Sequence, residues 1–288
     1  MTFRLANVSG RAVLVHGDHY TDVEAASGGR LGPDPMEALA QPELLSELAA
    51  VVGTDTATGA LADVVLDAPV PRPQKVFGIG LNYASHVAES GMDTPASPVV
   101  FTKFPSCIVG PTADVEIRSD GCDYEVELVV VIGAGGRDIP VEQAWDHVVG
   151  VTVGQDISDR PAQFAASPPH FDLAKSFDTF GPIGPAVVSA DQLADRDALR
   201  LRCAVNDDLR QDGTTADLIF DVPTLVSFLS SITTLVTGDL IFTGTPDGIG
   251  ATQGVFLSDG DVITSSIDGV GALTNPVVRI ADPSPIGG

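Results

Sequence analysis

Lysine is almost missing from this chain. Only Lys75, Lys103 and Lys175 occur in 288 residues, and with the arginines they make 15 basic side chains against 39 acidic ones. A formal charge of −24 argues against nucleic acid or an anionic membrane surface as partner, because both demand a basic face. The acids are spread out rather than gathered in a long run, which reads as solubility. Cysteine is scarce as well. Cys107, Cys122 and Cys203 are odd in number and show no C-x-x-C spacing, so reduced thiols and a cytoplasmic location are expected. The start, MTFRLANVSGRAVLVHG, lacks the basic segment and long apolar run of a signal peptide. No uninterrupted apolar run approaches the length needed to span a membrane. With so few lysines, one that sits inside a Gly- and Phe-rich stretch stands out.

What is present is strand pattern. The length suits one good-sized domain, or a main domain with a small appendage. Residues 1–70 read as a small N-terminal α/β domain, with short strands in TFRLANVSGRAVLVHGDHYTDV and a helix around PMEALAQPELLSELAAVV. The proline-rich DAPVPRPQ, Asp67 to Gln74, marks a linker. In residues 71–288, KVFGIGL, PVVFTKF, EVELVVVIG, GVTVGQD, RLRCAVND, DLIFTGT and DVITSSID read as strands between Gly/Pro/Asp turns. Helices are predicted at YASHVAESG, VEQAWDHVV and PTLVSFLSSITT. The fold class is strand-rich α+β, without regular βαβ alternation.

The stretch DYEVELVVVIG, Asp123 to Gly133, carries three acids at period 2 and then turns wholly apolar. On a strand, Asp123, Glu125 and Glu127 share a face. Such a stripe at the edge of a core is either solvated, paired with bases or closed around a cation. The scarcity of basic residues weakens pairing. In GVTVGQDISDR, an apolar strand ends in Asp156, which is a turn or capping residue or the third ligand of an oxygen-rich site. Glu125, Glu127 and Asp156 together suit a hard cation, Mg²⁺ or Mn²⁺. In GIGLNYASHVAESG, His86 and Glu89 lie three apart on a short helix, as a surface pair or as a general base held by its carboxylate. Lys175, in LAKSFDTFGPIGP, is a surface lysine or a stabiliser of developing negative charge. The loop of GDLIFTGTPDGIG offers amides and the hydroxyls of Thr243 and Thr245, but lacks the GK[ST] of a phosphate loop.

Taken in order, GLNYASHVAE, PVVFTKFPSCIVGP, DYEVELVVVIG, GVTVGQDISDR, AKSFDTFGPIGP, VNDDLRQDGTT, GDLIFTGTPDGIG and GDVITSSIDGVGALTNPV resemble the fumarylacetoacetate hydrolase family over roughly three quarters of the chain. The resemblance implies a mixed β-roll, usually homodimeric, with Mg²⁺ or Mn²⁺ on Glu125, Glu127 and Asp156. It implies catalytic roles for His86, Glu89 and Lys175, with His86 and Glu89 on a lid. Substrate contacts are expected from Tyr83, Arg160, Gln163, Gly244 and Thr245. The activity implied is hydrolysis of a carbon–carbon bond in a 2,4-dioxo acid, an acylpyruvate-like small molecule, through a His/Glu-activated water and a cation-stabilised enolate. Decarboxylation of a 2-oxo diacid such as oxaloacetate, or isomerisation of an unsaturated oxo-dioate, would use the same site. A non-catalytic metal-binding relative is the remaining alternative. Three positions depart from the family pattern. Gln155 stands for Asn, Pro161 for the acid of R-D-x-Q, and Asp207 for the Gly of V-N-G. Asp123 is expected at the solvated mouth of the site.

Overall fold

The apolar run after the two glutamates explains how the molecule is layered. In the computed structural model, which describes residues 2–281, Val126–Ile132 is a strand buried at every position. Its side chains serve two cores by parity. Val126, Leu128, Val130 and Ile132 pack on one side with Leu201, Cys203, Ile263 and Leu273. Val129 and Val131 pack on the other with Phe3, Leu5, Leu14, Leu39 and Leu45. A strand covered on both faces loses the polar half of its alternation, which is why the stretch reads VVVI.

That strand lies inside a twelve-stranded mixed sheet. On one side it pairs antiparallel with Val148–Gln155, which pairs with Gly181–Val188, which pairs with Arg4–Val8. The sheet then continues through Arg11–His16, His19–Asp22 and Gly59–Ala60. On the other side lie Leu240–Phe242, Val76–Gly80 and the edge strand Val99–Thr102. A second, five-stranded sheet runs in the order Asp208–Thr214, Arg200–Val205, Val262–Ile267, Gly271–Arg279 and Val115–Ile117. Leu201, Ile263 and Leu273 of this sheet supply the facing half of the first core. The architecture is the strand-rich α+β arrangement expected from the sequence.

The first 70 residues do not hang from a linker alone. Leu5 pairs with Val187 across the sheet, Leu66–Asp67 pairs back on Asn7 and Val8, and the second core holds side chains from both parts. Prolines flank a hydrogen-bonded junction. The helix expected around PMEALAQPELLSELAAVV is two, Pro35–Leu39 and Pro42–Ala49, because Pro42 starts a new first turn, where its missing N–H costs nothing. VEQAWDHVV forms a 3₁₀ segment, Val141–His147, rather than an α-helix. Ala84–Ser90 and Val222–Ile232 are helical as expected. No described helix is long and apolar enough to cross a membrane.

Antiparallel pairing sends several strand ends to one rim. Val126 opens its strand opposite Gln155, where the neighbouring strand closes. Leu240–Phe242 and Val76–Gly80 run parallel to each other and antiparallel to Val126–Ile132, so they end at the same rim. The residues just beyond these ends build the site.

Candidate active site

Three carboxylates meet at that rim. Glu125, Glu127 and Asp156 offer oxygen atoms within 4.8 Å of one another, and all three residues are buried. They do not share one continuous strand with Asp123, as period 2 suggested. Cys122–Asp123 belongs to a separate ladder with Ser158–Asp159, and the chain crosses between the two ladders at Tyr124 and Glu125. The Glu125 amide donates to the Gln155 side chain at 2.8 Å, and the Asp156 amide to the Glu125 carbonyl at 2.9 Å. Gln155 also donates to Ser265 Oγ at 2.8 Å. The Gln-for-Asn departure thus ties the start of the ExE segment to the second sheet.

Basic partners are present after all, and this corrects the expectation from lysine scarcity. Lys175 Nζ lies 2.7 Å from Glu125 Oε2 and 2.6 Å from Asp156 Oδ2. Lys103 Nζ, wholly buried, lies 2.7 Å from Asp156 Oδ1 and also donates to the carbonyls of Lys175 and Phe180. Arg160 Nη2 reaches Glu125 Oε1 at 2.5 Å and Asp123 Oδ2 at 2.7 Å. Two of the three lysines in the chain are spent beneath this one site. For Lys103 the sequence offers no signal beyond its place near the end of PVVFTKF.

Asp123 is the second correction. It is fully buried rather than at a solvated mouth, and it accepts from Arg160 Nε and Nη2 and from the amides of Tyr124, Gly250 and Ala251. Arg160 in turn donates from Nη1 to Gln163 Oε1 at 2.9 Å. The acid missing at Pro161 leaves Arg160 fully paired, because Asp123 and Glu125 hold it.

The cations split the two glutamates. Burial alone would raise the Glu125 carboxyl, but Lys175 and Arg160 outweigh it and bring it down to about 2. Glu127 is pushed well above the usual carboxylate range, first by burial and then by Asp156 and Glu125. The Gly244 amide donates to it at 2.8 Å. A buried acid facing two others with no cation of its own marks where positive charge is wanted. An all-oxygen, carboxylate-rich donor set fits Mg²⁺ or Mn²⁺, so the residues present suit such an ion.

The other wall of the site is the Ala84–Ser90 helix. His86 Nδ1 lies 2.8 Å from Glu89 Oε1. With a carboxylate as acceptor, Nδ1 carries the hydrogen and Nε2 is the free base. The second oxygen of Glu89 accepts from the Gly248 amide at 3.0 Å and from Thr252 Oγ1 at 2.8 Å. The helix is therefore latched onto the loop that follows Phe242. His86, Glu125, Glu127, Arg160, Gln163, Lys175 and Thr245 line one cavity of about 240 Å³.

Of the other residues expected to touch substrate, Thr245 lines this cavity, and Tyr83 and Gly244 do not. Tyr83 starts the helix with its ring wholly buried and its hydroxyl unpartnered, and it does not line the cavity. Burial, then Glu127, push its phenol up. Gly244 gives its amide to Glu127 and takes a positive φ of 100°, where a Cβ would sit 2.8 Å from Asn82 Cβ. Only glycine fits there. Thr245 lines the cavity, but its hydroxyl donates to the Val126 carbonyl at 2.9 Å, as Thr243 does to Leu128. Both threonines stitch the loop to the ExE strand. At the V-N-D turn, the positive φ falls on Asn206 (55°) rather than on Asp207, and asparagine tolerates it.

Residues 75–278 match the family model described as fumarylacetoacetate (FAA) hydrolase C-terminal. An oxaloacetate tautomerase of Xenopus laevis, fahd2, mitochondrial, is 42% identical over 221 residues, spanning 75% of this chain and 69% of the relative. A crystal structure of a Mycobacterium smegmatis protein provisionally assigned as HpcE superposes with a TM-score of 0.90 at 44% identity, covering 96% of this chain and all of that one. Maleylpyruvate hydrolase from Sphingobium, solved with manganese(II) and pyruvate, superposes with a TM-score of 0.81 at 31% identity over 96% of this chain and 100% of that chain. The chain is a member of the fumarylacetoacetate hydrolase family.

Proposed function

We propose that the protein cleaves a carbon–carbon bond in a 2,4-dioxo acid, releasing a carboxylic acid and pyruvate. One observation carries the reading: a histidine fixed by a carboxylate lines the same cavity as a three-carboxylate centre backed by Lys175. A divalent cation held by Glu125, Glu127 and Asp156 would supply Lewis acidity toward the 2-oxo acid head. The manganese and pyruvate of the Sphingobium neighbour support that seat for the head.

The chain's own groups do the rest. Glu89 holds the Nδ1–H tautomer, so His86 Nε2 takes a proton from water. The resulting hydroxide adds to the C4 carbonyl. The C3–C4 bond breaks, and its electron pair moves onto C3 as the enolate of pyruvate. The His86 imidazolium returns the proton at C3. Lys175 keeps positive charge beside the developing enolate oxygen, where removing such a stabiliser typically costs about 100-fold or more in rate. His86→Ala should abolish loss of the acylpyruvate enol absorbance while leaving Mn²⁺ binding, read by calorimetry, intact. An unchanged rate would refute His86 as the base.

A second reading is keto–enol tautomerisation of oxaloacetate, favoured by the similarity to oxaloacetate tautomerases. It needs no water, and His86 would carry one proton between carbon and solvent. Decarboxylation or isomerisation of a related diacid draws on the same enolate. A 2-oxo acid panel scored for pyruvate, CO₂, enol decay and change in diene absorbance separates the four.

A further inference from the structure

We infer that the substrate carries an apolar tail, alkyl or aryl, on the far side of its reacting carbonyl, and not a second carboxylate. This rests on a 2-oxo acid head seating at the carboxylate centre. The cavity has two unlike ends. Around the head lie the carboxylates, Arg160, Lys175 and His86. The rest of the lining is dominated by Met92, Val99, Phe101, Phe164 and Phe171.

The two ends adjoin at Phe101. Lys175 Nζ lies 5.0 Å from the Phe101 ring centroid, and the Phe101 and Phe171 rings lie 6.2 Å apart, so this aromatic pair adjoins the polar head. At the mouth, Val99, Met92 and Phe164 are 41%, 55% and 60% exposed. Large apolar side chains left open around one concavity mark a surface that a ligand covers.

Among the described residues lining the cavity, a distal carboxylate would find no uncommitted cation, and the Gln163 amide beside Arg160 is the uncharged donor left to it. The cationic side chains lining the cavity, apart from His86, are Arg160 and Lys175, and both are already bound to Asp123, Glu125 and Asp156. The hydroxyls on that side are committed as well, Ser90 to the Val87 carbonyl and Thr252 to Glu89. An ionised carboxylate pressed on apolar walls without a cation is strongly disfavoured. A hydrocarbon tail gains about fourfold in affinity for each methylene it buries there.

The test is a binding series on the full-length, Mn²⁺-loaded protein, read by calorimetry. 2-Oxobutanoate, 2-oxopentanoate and 2-oxohexanoate are compared with 2-oxoadipate, which differs from 2-oxohexanoate only in a terminal carboxylate. The expected result is a gain with each methylene and at least tenfold weaker binding of 2-oxoadipate. Equal or tighter binding of 2-oxoadipate, or no dependence on chain length, overturns the inference. Val99→Lys places a cation at the solvent-exposed rim and should shift the ratio at least tenfold toward 2-oxoadipate. It alters the net charge by only one, so overall repulsion does not produce that shift, and an unchanged ratio overturns the placement of the tail. Turnover of 2,4-dioxo acids is scored separately. Loss of hydrolysis alone refutes the proposed reaction while the binding series still reads the tail.

Discussion

Two parts of this molecule set arginine or lysine against carboxylate at similar distances. At the surface, Arg200 and Asp212 meet at 2.5 Å with half and a third of their side chains exposed. Beneath the cavity, Lys103, Lys175 and Arg160 meet Asp156, Glu125 and Asp123 at 2.5–2.7 Å with almost nothing exposed. Water already solvates the first pair, so its net worth is small. Each charge in the second group depends on its neighbours, because an unpaired ion there has no solvent to turn to. The surface pair decorates a hairpin, whereas the buried group fixes the position of three ligand oxygens.

The largest test of this contrast is Lys103→Met, which keeps the stem and removes the charge. It should destabilise the metal-free protein by about 4 kcal/mol in urea unfolding, because Asp156 loses its inner partner. A loss below about 1 kcal/mol would show that the buried pair is dispensable. Asp123→Asn should follow at about 3 kcal/mol, since it breaks the two-bond grip on Arg160. Acid should find the same group. Glu125 is held near 2 in the folded chain against an ordinary value of 4.5. Its contribution is complete above about pH 4.5 and fades as pH falls toward 2. Glu127, raised in the fold, acts with the opposite sign: its share grows as pH falls toward its ordinary range and is constant below it, so the loss at lower pH reports Glu125. Chemical melts of chelator-treated protein from pH 6 to 2 check this, and a flat profile would sink it. Thr252→Val removes one of the two bonds that latch Glu89 to its loop, leaving the Gly248 amide, and should lower kcat about fivefold (~1 kcal/mol) with Mn²⁺ affinity unchanged. The smallest effect is expected for Arg200→Ala, which should leave the same unfolding curve unshifted, because water replaces the lost partner.

The sequence made the ligand trio readable because those residues are marked locally. Two glutamates stand at period 2 before an apolar run, and an aspartate ends the next strand. The Lys103 partnership was not readable, since the residues it joins lie 53 and 72 positions apart and no period connects them. Asp123 misled for a related reason. Alternation assumes one unbroken strand, and the crossing at Tyr124–Glu125 between two ladders turns its carboxylate inward to Arg160. The Gly181–Val188 strand was hidden by its own composition, because GPIGP carries the residues that usually stop strands. The proline-rich stretch near residue 70 reads as a linker, and the strand pair that bridges it brings together Leu5 and Val187, a contact no local pattern announces.

That join has a consequence for how the chain can be shortened. Cutting at residue 70 would strip Arg4–Val8 from its neighbour and leave the end of Gly181–Val188 as a raw edge. It would also bare Val129, Val131, Val149 and Ile183 on the adjoining face. An uncovered edge beside an apolar face is a template for pairing with any other chain. The leading segment thus guards against aggregation, and a catalytic part expressed without it should come out of solution before it shows whether it can turn over a substrate.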